Sequence, residues 1–290
     1  MPVQHIAVPG RTPFARRAVP LILPLAVLWL SCDRSSPPPA APPAPVTRAP
    51  VPNPPRYRSF VASSPREVLS LKAELGEDAF HVCLKLNRVD LDHIRKGDLL
   101  VVPTAAEPLF EHAPFPRIWE ELGDLEQALV VSLRIQAWAA YRRGQLLRWG
   151  PVSTGKKATP TPAGRYHTNW RQAERRSTFN GEWLLKWYVN IHNWDGISFH
   201  RYELPGYPDS HACIRLTEDD SAWIYQWCTS WILSPDQREV LRPGTPVAVI
   251  GAWAWGQPRP WRRLPEDPLA RAMTPAERAE AQQLLEVGPR

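Results

Sequence analysis

Proline is concentrated in one stretch near the start of the chain, and that stretch restricts where a folded core can form. Ten of the 24 residues from 33 to 56 are proline, and few of the others are apolar. Proline lacks a backbone N–H and fixes φ, so this composition favours an extended polyproline II chain over helix or sheet. Apolar residues make up 43% of the whole chain, enough for a sizeable core elsewhere. We therefore expect a semi-rigid linker over 33–56 and a folded region that begins near residue 57.

The residues before the linker have the pattern of an export signal. Arg16 and Arg17 precede an apolar run, 18–30, which suits the core of a signal peptide and is short for a membrane span. A small residue and then Cys32 follow, an ending that resembles a bacterial lipobox with Cys32 as the lipidation site. Ordinary cleavage, or an uncleaved anchor, is the alternative. We expect 1–32 to be a signal segment that directs the protein to the cell envelope or periplasm as a membrane-anchored lipoprotein.

Charge and cysteine content narrow the classes of partner. The formal net charge is +6, but lysine and arginine form no long run. We therefore expect an ordinary basic surface and no nucleic-acid partner. Besides Cys32, the chain has Cys83, Cys213 and Cys228. Cys83 and Cys228 could pair in an oxidising compartment, although two buried thiols are the favoured state.

Residues 57–104 predict a small unit in the order strand, helix, helix, strand. Residues 58–62 predict the first strand, and residues 65–75 carry apolar side chains at helical spacing. Residues 80–86 predict a second helix, and 99–102 predict the closing strand. The order is therefore βααβ.

This small unit resembles a LysM module. The resemblance is carried by LKLNRVD at 84–90 and IRKGDLLVVP at 94–103, whereas the opening departs, with Ser-Ser-Pro at 63–65 in place of the usual Gly-Asp pair. It implies a small βααβ domain that binds glycan strands containing N-acetylglucosamine. The alternative is a structural spacer that binds nothing.

The rest of the chain predicts a connector, a larger domain and a tail. Residues 105–128 form the connector with a short helix, and the tail, 253–290, contains a helix opened by a Thr-Pro-Ala-Glu capping box at 274–277. The larger domain, 129–252, has strand character. Its predicted elements are a β-rich stretch at 129–137, a hairpin at Gly144, strands at 145–151, 189–191, 197–199 and 245–250, and a helix at 217–227 with Thr217 as its N-cap. The fold class is therefore mainly β with α, of the α+β type.

Residues 197–216, ISFHRYELPGYPDSHACIRL, gather the groups that a thiol nucleophile needs. A free thiol has a pKa of about 8.5 and must lose its proton to attack at neutral pH. His200 or His211 could take the proton of Cys213. Arg215 could favour the thiolate or bind a substrate carboxylate. We therefore regard Cys213 as a candidate nucleophile.

The order of a histidine, a loop and then Ser-His-Ala-Cys-Ile-Arg resembles the active-site motif of the YkuD-type L,D-transpeptidases. Upstream, PVSTGKKATPTPAG at 151–164 resembles the STG…TPTPxG stretch of that family, and GTPV at 244–247 resembles its closing strand. Several motifs in one order are more specific than one Cys/His pair. The resemblance covers about 129–250 and implies a β-sandwich or barrel-like catalytic domain.

The resemblance also assigns roles to individual residues. Cys213 would be the nucleophile and His200 the base that activates it, and His211 would shape the pocket and polarise the substrate. Ser210 and Arg215 would support the loop and substrate groups.

The reaction implied by the resemblance is acyl transfer between peptidoglycan stem peptides. The thiolate attacks the carbonyl of the third residue of one stem, expels the terminal D-alanine and forms a thioester, which an amine from a second stem resolves. The backbone N–H groups of Ala212 and Cys213 are our candidates for the oxyanion hole. The implied partners are stem peptides and glycan strands, and neither a metal nor a cofactor is implied.

Three departures from the family pattern leave the reaction type open. Ala212 replaces the usual glycine, the loop at 201–209 is short, and Arg201 and Tyr202 stand where small residues are usual. An L,D-carboxypeptidase or hydrolase of the same bonds, and a wall-binding lipoprotein without activity, are the alternative functions.

Two further alternatives concern individual side chains. His200, His211 and Cys213 could ligate zinc with His192 or Asp209 as a fourth ligand, although the spacing matches no common zinc pattern. Three tryptophans could either stack on sugars or pack in a core, and they are Trp183, Trp187 and Trp194.

Overall fold

The computed structural model describes residues 56–177 and 180–286, which lie in one compact unit. The predicted signal segment, its Cys32 and the proline-rich linker up to residue 55 lie outside the described residues. Within the described ranges, no helix is long and apolar enough to cross a membrane.

The order of elements is mostly β with a few helices, as the sequence predicts. The strands are β1 (Tyr57–Val61), β2 (Leu99–Pro103), β3 (Ala128–Ser132), β4 (Ala137–Arg142), β5 (Gln145–Pro151), β6 (Gly164–His167), β7 (Arg171–Arg176), β8 (Leu184–His192), β9 (Ile197–Arg201), β10 (Ile214–Leu216), β11 (Ile232–Leu233), β12 (Val240–Arg242) and β13 (Pro246–Ile250). The helices are α1 (Pro65–Leu75), α2 (Glu77–Asn87), α3 (Glu218–Trp227) and α4 (Pro275–Glu286).

Two sheets pack face to face and enclose the main core. One has five strands in the order β5-β4-β3-β13-β6, and the other has four in the order β10-β9-β8-β7. Leu129 and Val131 of β3 belong to the same buried cluster as Val189 of β8, Phe199 of β9 and Ile214 of β10. Because successive side chains of a strand point to opposite faces, these residues form one shared layer between the sheets.

The other face of the five-stranded sheet is also covered. Val130 of β3 and Ala248 of β13 are fully buried there. They cluster with Leu86 of α2, with Trp261 of the tail and with Leu285 of α4. The small N-terminal unit and the tail therefore both lie on this face. A strand buried on both faces carries apolar side chains at every position, which explains why the 129–131 stretch does not alternate.

The small unit has the predicted order β1-α1-α2-β2, and a buried asparagine joins its last helix to its last strand. The Asn87 side chain donates to the Cys83 and Val101 carbonyl oxygens at 2.8 and 2.7 Å, and it accepts from the Val101 N–H at 2.9 Å. All its strong hydrogen-bonding groups are therefore used, which gives the LNRVD stretch a structural purpose.

A buried carboxylate connects the small unit to the larger domain. Asp220, in the first turn of α3, is fully buried and accepts hydrogen bonds from Lys85 Nζ at 3.3 Å and from Arg148 Nη2 at 2.7 Å. Thr217 caps the same helix by accepting from the Asp220 N–H at 3.3 Å. The sequence predicts this cap, and the structure adds the contact with α2.

The tail packs on the domain and is not loose. Glu277 and Thr274 form the predicted capping box, with the Glu277 N–H 3.1 Å from Thr274 Oγ1 and the Thr274 N–H 2.9 Å from Glu277 Oε2. Glu277 also accepts from Arg134 and Ser132 at the end of β3. The predicted continuous β-rich stretch at 129–137 is therefore divided, because the chain turns at 133–136 to place Arg134 against α4.

We expect Asp220→Ala to lower the free energy of unfolding by about 3 kcal/mol or more, because it leaves the buried Lys85 ammonium without a counter-charge. Urea unfolding of the full chain measures this change. Asp219→Ala is the matched control, since the neighbouring carboxylate is exposed. An equal effect of the two substitutions would contradict the assignment.

Candidate active site

The pairing of β9 with β10 places Cys213 beside Ser198 and His200. The two strands are parallel, with Ile214 opposite Phe199 and Arg215 opposite His200. One step back along the register, Cys213 Sγ lies 3.3 Å from Ser198 Oγ. Ser198 and His200 are two residues apart and therefore share the face of β9 that points away from the Phe199 core.

His200 is oriented as a base for the thiol. Its Nδ1 lies 2.9 Å from the Arg201 carbonyl oxygen, which can only accept, so Nδ1 carries the proton. In the tautomer that this contact selects, the lone pair lies on Nε2, which can accept the proton of Cys213. A backbone carbonyl that fixes the tautomer performs the orienting role that a carboxylate performs in other triads.

The pKa of Cys213 is lowered although the thiol is partly enclosed. Burial by itself raises the pKa. Once the thiol proton has passed to His200, the hydrogen bond that the ring donates to the thiolate, the positive charge of the ring and the contact with Ser198 together outweigh burial. The other two described cysteines behave in the opposite way, since burial raises the pKa of Cys83 to about 12 and that of Cys228 to about 11. Both are free and buried, as predicted. Cys213 is therefore the described thiol suited to nucleophilic attack at neutral pH.

Ala212 holds the turn before Cys213 in a left-handed conformation. Its φ is +73°, a value that glycine adopts freely and that costs alanine about 1 kcal/mol. Its carbonyl accepts from Thr161 Oγ1 at 2.8 Å, and Ser210 Oγ donates to the Cys213 carbonyl at 2.5 Å. These bonds hold the turn in place against its strain.

The STGK and TPTP stretches support this turn with hydrogen bonds. Thr154 accepts from the Ser210 N–H at 2.9 Å, and Thr159 Oγ1 donates to the Ser210 carbonyl at 3.1 Å. The Gly155 N–H donates to Thr161 Oγ1 at 2.8 Å. A Cβ at Gly155 would lie 2.2 Å from the Thr159 carbonyl oxygen, so a side chain does not fit there. The motif thus supports the loop that carries Cys213.

His211 lies at the rim as a neutral ring. Its Nε2 is 3.0 Å from Lys156 Nζ, and because an ammonium only donates, Nε2 is the acceptor. Burial first, and then the charges of Lys156 and Arg215, lower the pKa of His211, while Asp209 opposes them. The ring centroid lies 5.6 Å from that of Trp183. This arrangement fits the predicted pocket-shaping role better than a role as a proton acceptor.

Arg215 is engaged by the protein itself. Its Nη1 lies 3.3 Å from Asp209 Oδ2, and its guanidinium stacks over Tyr202 at 4.6 Å. The residue is only 8% exposed. The structure therefore places Arg215 as a support of the loop, and its capacity to bind substrate groups is reduced by the pairing with Asp209.

A cleft of about 300 Å³ opens above the thiol. All the predicted side chains of the site except Ala212 line it, and the full lining is Arg175, Ser177, Trp183, Leu185, Tyr188, Asp195, Gly196, His200, Tyr202, Ser210, His211, Cys213 and Arg215. Ala212 lies in a second hollow of about 310 Å³, which shares Asp195 and His211 with the first. Of the three tryptophans considered, Trp183 lines the cleft, whereas Trp194 is 94% exposed.

The alternative of a zinc site finds no geometric support. Among residues 56–177 and 180–286, no group of three or more His, Cys, Asp or Glu side chains is arranged to hold a metal ion. His192 pairs with Asp195 at 3.2 Å, and Asp209 pairs with Arg215, so neither candidate for a fourth ligand is directed to Cys213.

Comparison with known families agrees with this geometry. Residues 126–249 match the YkuD family, the L,D-transpeptidase catalytic domain. The resemblance inferred from the sequence motifs is therefore confirmed for this segment, which we call the YkuD segment.

Several relatives of the YkuD segment are named L,D-transpeptidases. L,D-transpeptidase 1 of Mycobacterium tuberculosis is 26% identical over 137 residues, which are 42% of this chain and 49% of that protein. The chain thus spans about half the length of the curated relatives it matches. Among solved structures, L,D-transpeptidase 1 of M. tuberculosis is 24% identical, covering 43% and 62% of the two chains with a TM-score of 0.33. An L,D-transpeptidase from Stackebrandtia nassauensis is 20% identical, covering 45% and 58% with a TM-score of 0.36.

Several residues of the site were not anticipated from the sequence. Ser198, which contacts the thiol, could have been found from its place two residues before His200 on one strand. Arg175 of β7 and Tyr188 of β8 were also missed. Arg175 gave no signal, because β7 is a polar strand, RQAERR, without apolar alternation. Only the pairing of β7 with β8 brings Arg175 to the cleft.

We expect alkylation of Cys213 by iodoacetamide to persist at pH values where an ordinary thiol is protonated, because the lowered pKa keeps a larger thiolate fraction as pH falls. His200→Ala removes the largest interactions that lower the pKa of Cys213 and leaves burial opposed only by Ser198, so the pH profile should move upward and the rate at pH 7 should fall about tenfold for each pKa unit. Peptide mass spectrometry measures each cysteine separately.

The matched control for that measurement is His167→Ala, which removes a histidine of the other sheet. Its profile should match that of the unaltered protein. Faster labelling of Cys83 or Cys228 than of Cys213, or an unchanged profile in His200→Ala, would contradict the assignment.

Proposed function

We propose that this protein is a peptidoglycan L,D-transpeptidase that acts through a Cys213 thioester. The observation that carries the proposal is the contact of a partly enclosed, low-pKa thiol with Ser198 and a tautomer-fixed His200 at the floor of a cleft. The match of the YkuD segment supplies the reaction class.

The residues divide the chemistry between them. His200 Nε2 accepts the thiol proton, Cys213 Sγ attacks the carbonyl of the third stem residue, and the ring returns the proton to the departing D-alanine amine. The amine of a second stem then attacks the thioester, loses its proton to the same ring and releases the thiol. The N–H groups of Ala212 and Cys213 remain our candidates for stabilising the oxyanion, since the left-handed turn brings consecutive amides to one side.

The second hollow favours transfer over hydrolysis. The two hollows share Asp195 and His211, so the acyl donor and the acceptor amine can enter from different sides. Asp195 is an anion at their junction, paired with His192, and it suits an ammonium group of the acceptor. A hydrolase needs no separate entrance for a second stem peptide, because its acceptor is water.

Arg175 is our candidate for recognising a carboxylate of the donor peptide. Its guanidinium stacks on Trp170 at 5.0 Å and on Tyr188 at 5.4 Å. No carboxylate of the described residues lies within ion-pair distance of it, in contrast to Arg215. A guanidinium held by aromatic faces keeps its N–H fork for a ligand. We therefore transfer the predicted substrate-binding role of Arg215 to Arg175.

The setting of the enzyme is also part of the proposal. We propose that 57–104 is a LysM-like module that binds glycan strands, and that Cys32 and 1–32 export and anchor the protein at the cell envelope. The βααβ order and the LNRVD and KGD stretches support the module. Such an anchor and module would hold the cleft near stem peptides.

We expect a carbapenem to add its mass at Cys213, and the adduct to be absent from Cys213→Ala and present in the matched control Cys228→Ala. With tetrapeptide muropeptides, the unaltered protein should give cross-linked dimers. Tripeptides without dimers would favour the hydrolase. A protein that stays unmodified, yet sediments with wall sacculi, would favour the wall-binding alternative and refute the proposed enzyme.

We expect Arg175→Gln to raise KM for an acidic donor peptide about tenfold, the size of a lost hydrogen bond to a charged group, with a smaller change in kcat. Arg176→Gln is the matched control, because that neighbouring guanidinium donates to the Gly181 carbonyl instead. Donor peptides amidated at one carboxylate at a time identify the carboxylate that Arg175 binds. When that carboxylate is amidated, the variant and the unaltered protein should have the same KM. If Arg175→Gln raised KM equally for every amidated donor, carboxylate recognition by Arg175 would be contradicted.

A further inference from the structure

Away from the cleft, two arginines are buried in the apolar core beneath the five-stranded sheet. Arg88 ends α2 and is 0% exposed, and Arg271 lies just before α4 and is 5% exposed. Arg88 stacks over Trp261 at 4.4 Å, and Arg271 lies 5.8 Å from the ring of Trp149. Because a guanidinium stays protonated in proteins, both side chains bring a full charge into this core.

Only some of the N–H groups of these two guanidiniums have a hydrogen-bond acceptor among the described residues. Arg88 donates through Nε to the Ile135 carbonyl at 3.0 Å and through Nη1 to the Leu86 carbonyl. Arg271 donates through Nη2 to the Tyr57 hydroxyl at 3.0 Å. Arg88 Nη2 and Arg271 Nε and Nη1 are buried and have no acceptor among the described residues.

The surroundings contain no described negative charge to balance the pair. Neither arginine forms an ion pair with a described residue. Burial is the main influence on both pKa values and lowers them; Arg271 and Tyr57 also act on Arg88, and Tyr57 acts on Arg271, with no Asp or Glu among these groups. His112, which contacts the Tyr57 hydroxyl at 3.0 Å, is neutral, because burial first and Arg271 second lower its pKa to about 4. Two like charges in a low-dielectric site repel each other strongly and need a counter-ion.

We propose that Arg88 and Arg271 together bind a small inorganic anion of the halide class. One halide ion accepts from the unpaired N–H groups and offsets one of the two positive charges, whereas a neutral water molecule accepts from the N–H groups and offsets neither charge. Since Arg88 belongs to the small unit and Arg271 to the tail, the bound anion joins the two segments that cover the five-stranded sheet.

Crystals of the full chain grown in sodium bromide test the site directly. We expect an anomalous bromide peak within hydrogen-bonding distance of Arg88 Nη2 and of Arg271 Nε or Nη1. Bromide at surface positions only, or a water in its place, would overturn the proposal.

Thermal unfolding gives an independent measurement. At constant ionic strength, replacing sodium gluconate by sodium chloride should raise Tm of the full chain saturably, by about 3 °C at concentrations well above Kd. Arg271→Met should lose this chloride dependence, whereas Arg278→Met, which removes an exposed arginine paired with Glu121, should keep it. Equal Tm values of the unaltered protein in the two salts would overturn the proposal even if Arg271→Met fails to fold.

Discussion

The site depends on the parallel pairing of two short neighbouring strands, β9 and β10. This pairing is what places Cys213, one residue before β10, against Ser198 and His200 of β9. A one-residue slip would turn the histidine into the core and bring Phe199 to the thiol, because side chains alternate along a strand. The buried layer between the two sheets fixes the register, so the fold itself determines the chemistry.

Much of this arrangement could be predicted from the sequence because it is local. The capping residues Thr217 and Thr274, the hairpin at Gly144 and the histidine–cysteine motif each lie within a few residues of the partners they bind. The division of the 129–137 stretch was not predictable in the same way. It depends on Arg134 meeting Glu277, which is 143 residues away.

The polar side of the cleft was the hardest part to anticipate. β7 has no apolar period because it is the edge strand of its sheet and is largely exposed, so neither the strand nor Arg175 gave a signal. The strained Ala212 shows the reverse case. The sequence identified the unusual residue in the motif, and the structure supplies its left-handed φ and the threonine that holds its carbonyl.

The contacts of Asp220 make the YkuD segment dependent on residues outside it. Asp220 lies seven residues after Cys213 and accepts a hydrogen bond from the buried Lys85 of the small unit. The small unit and the tail also cover the outer face of the five-stranded sheet. A shortened chain that contains only the YkuD segment would lack the residues that cover this face. Buried side chains such as Trp149 would then be exposed to solvent, and Asp220 would lose its hydrogen bond with Lys85. A minimal domain trimmed by homology alone is therefore a poor substitute for the whole protein.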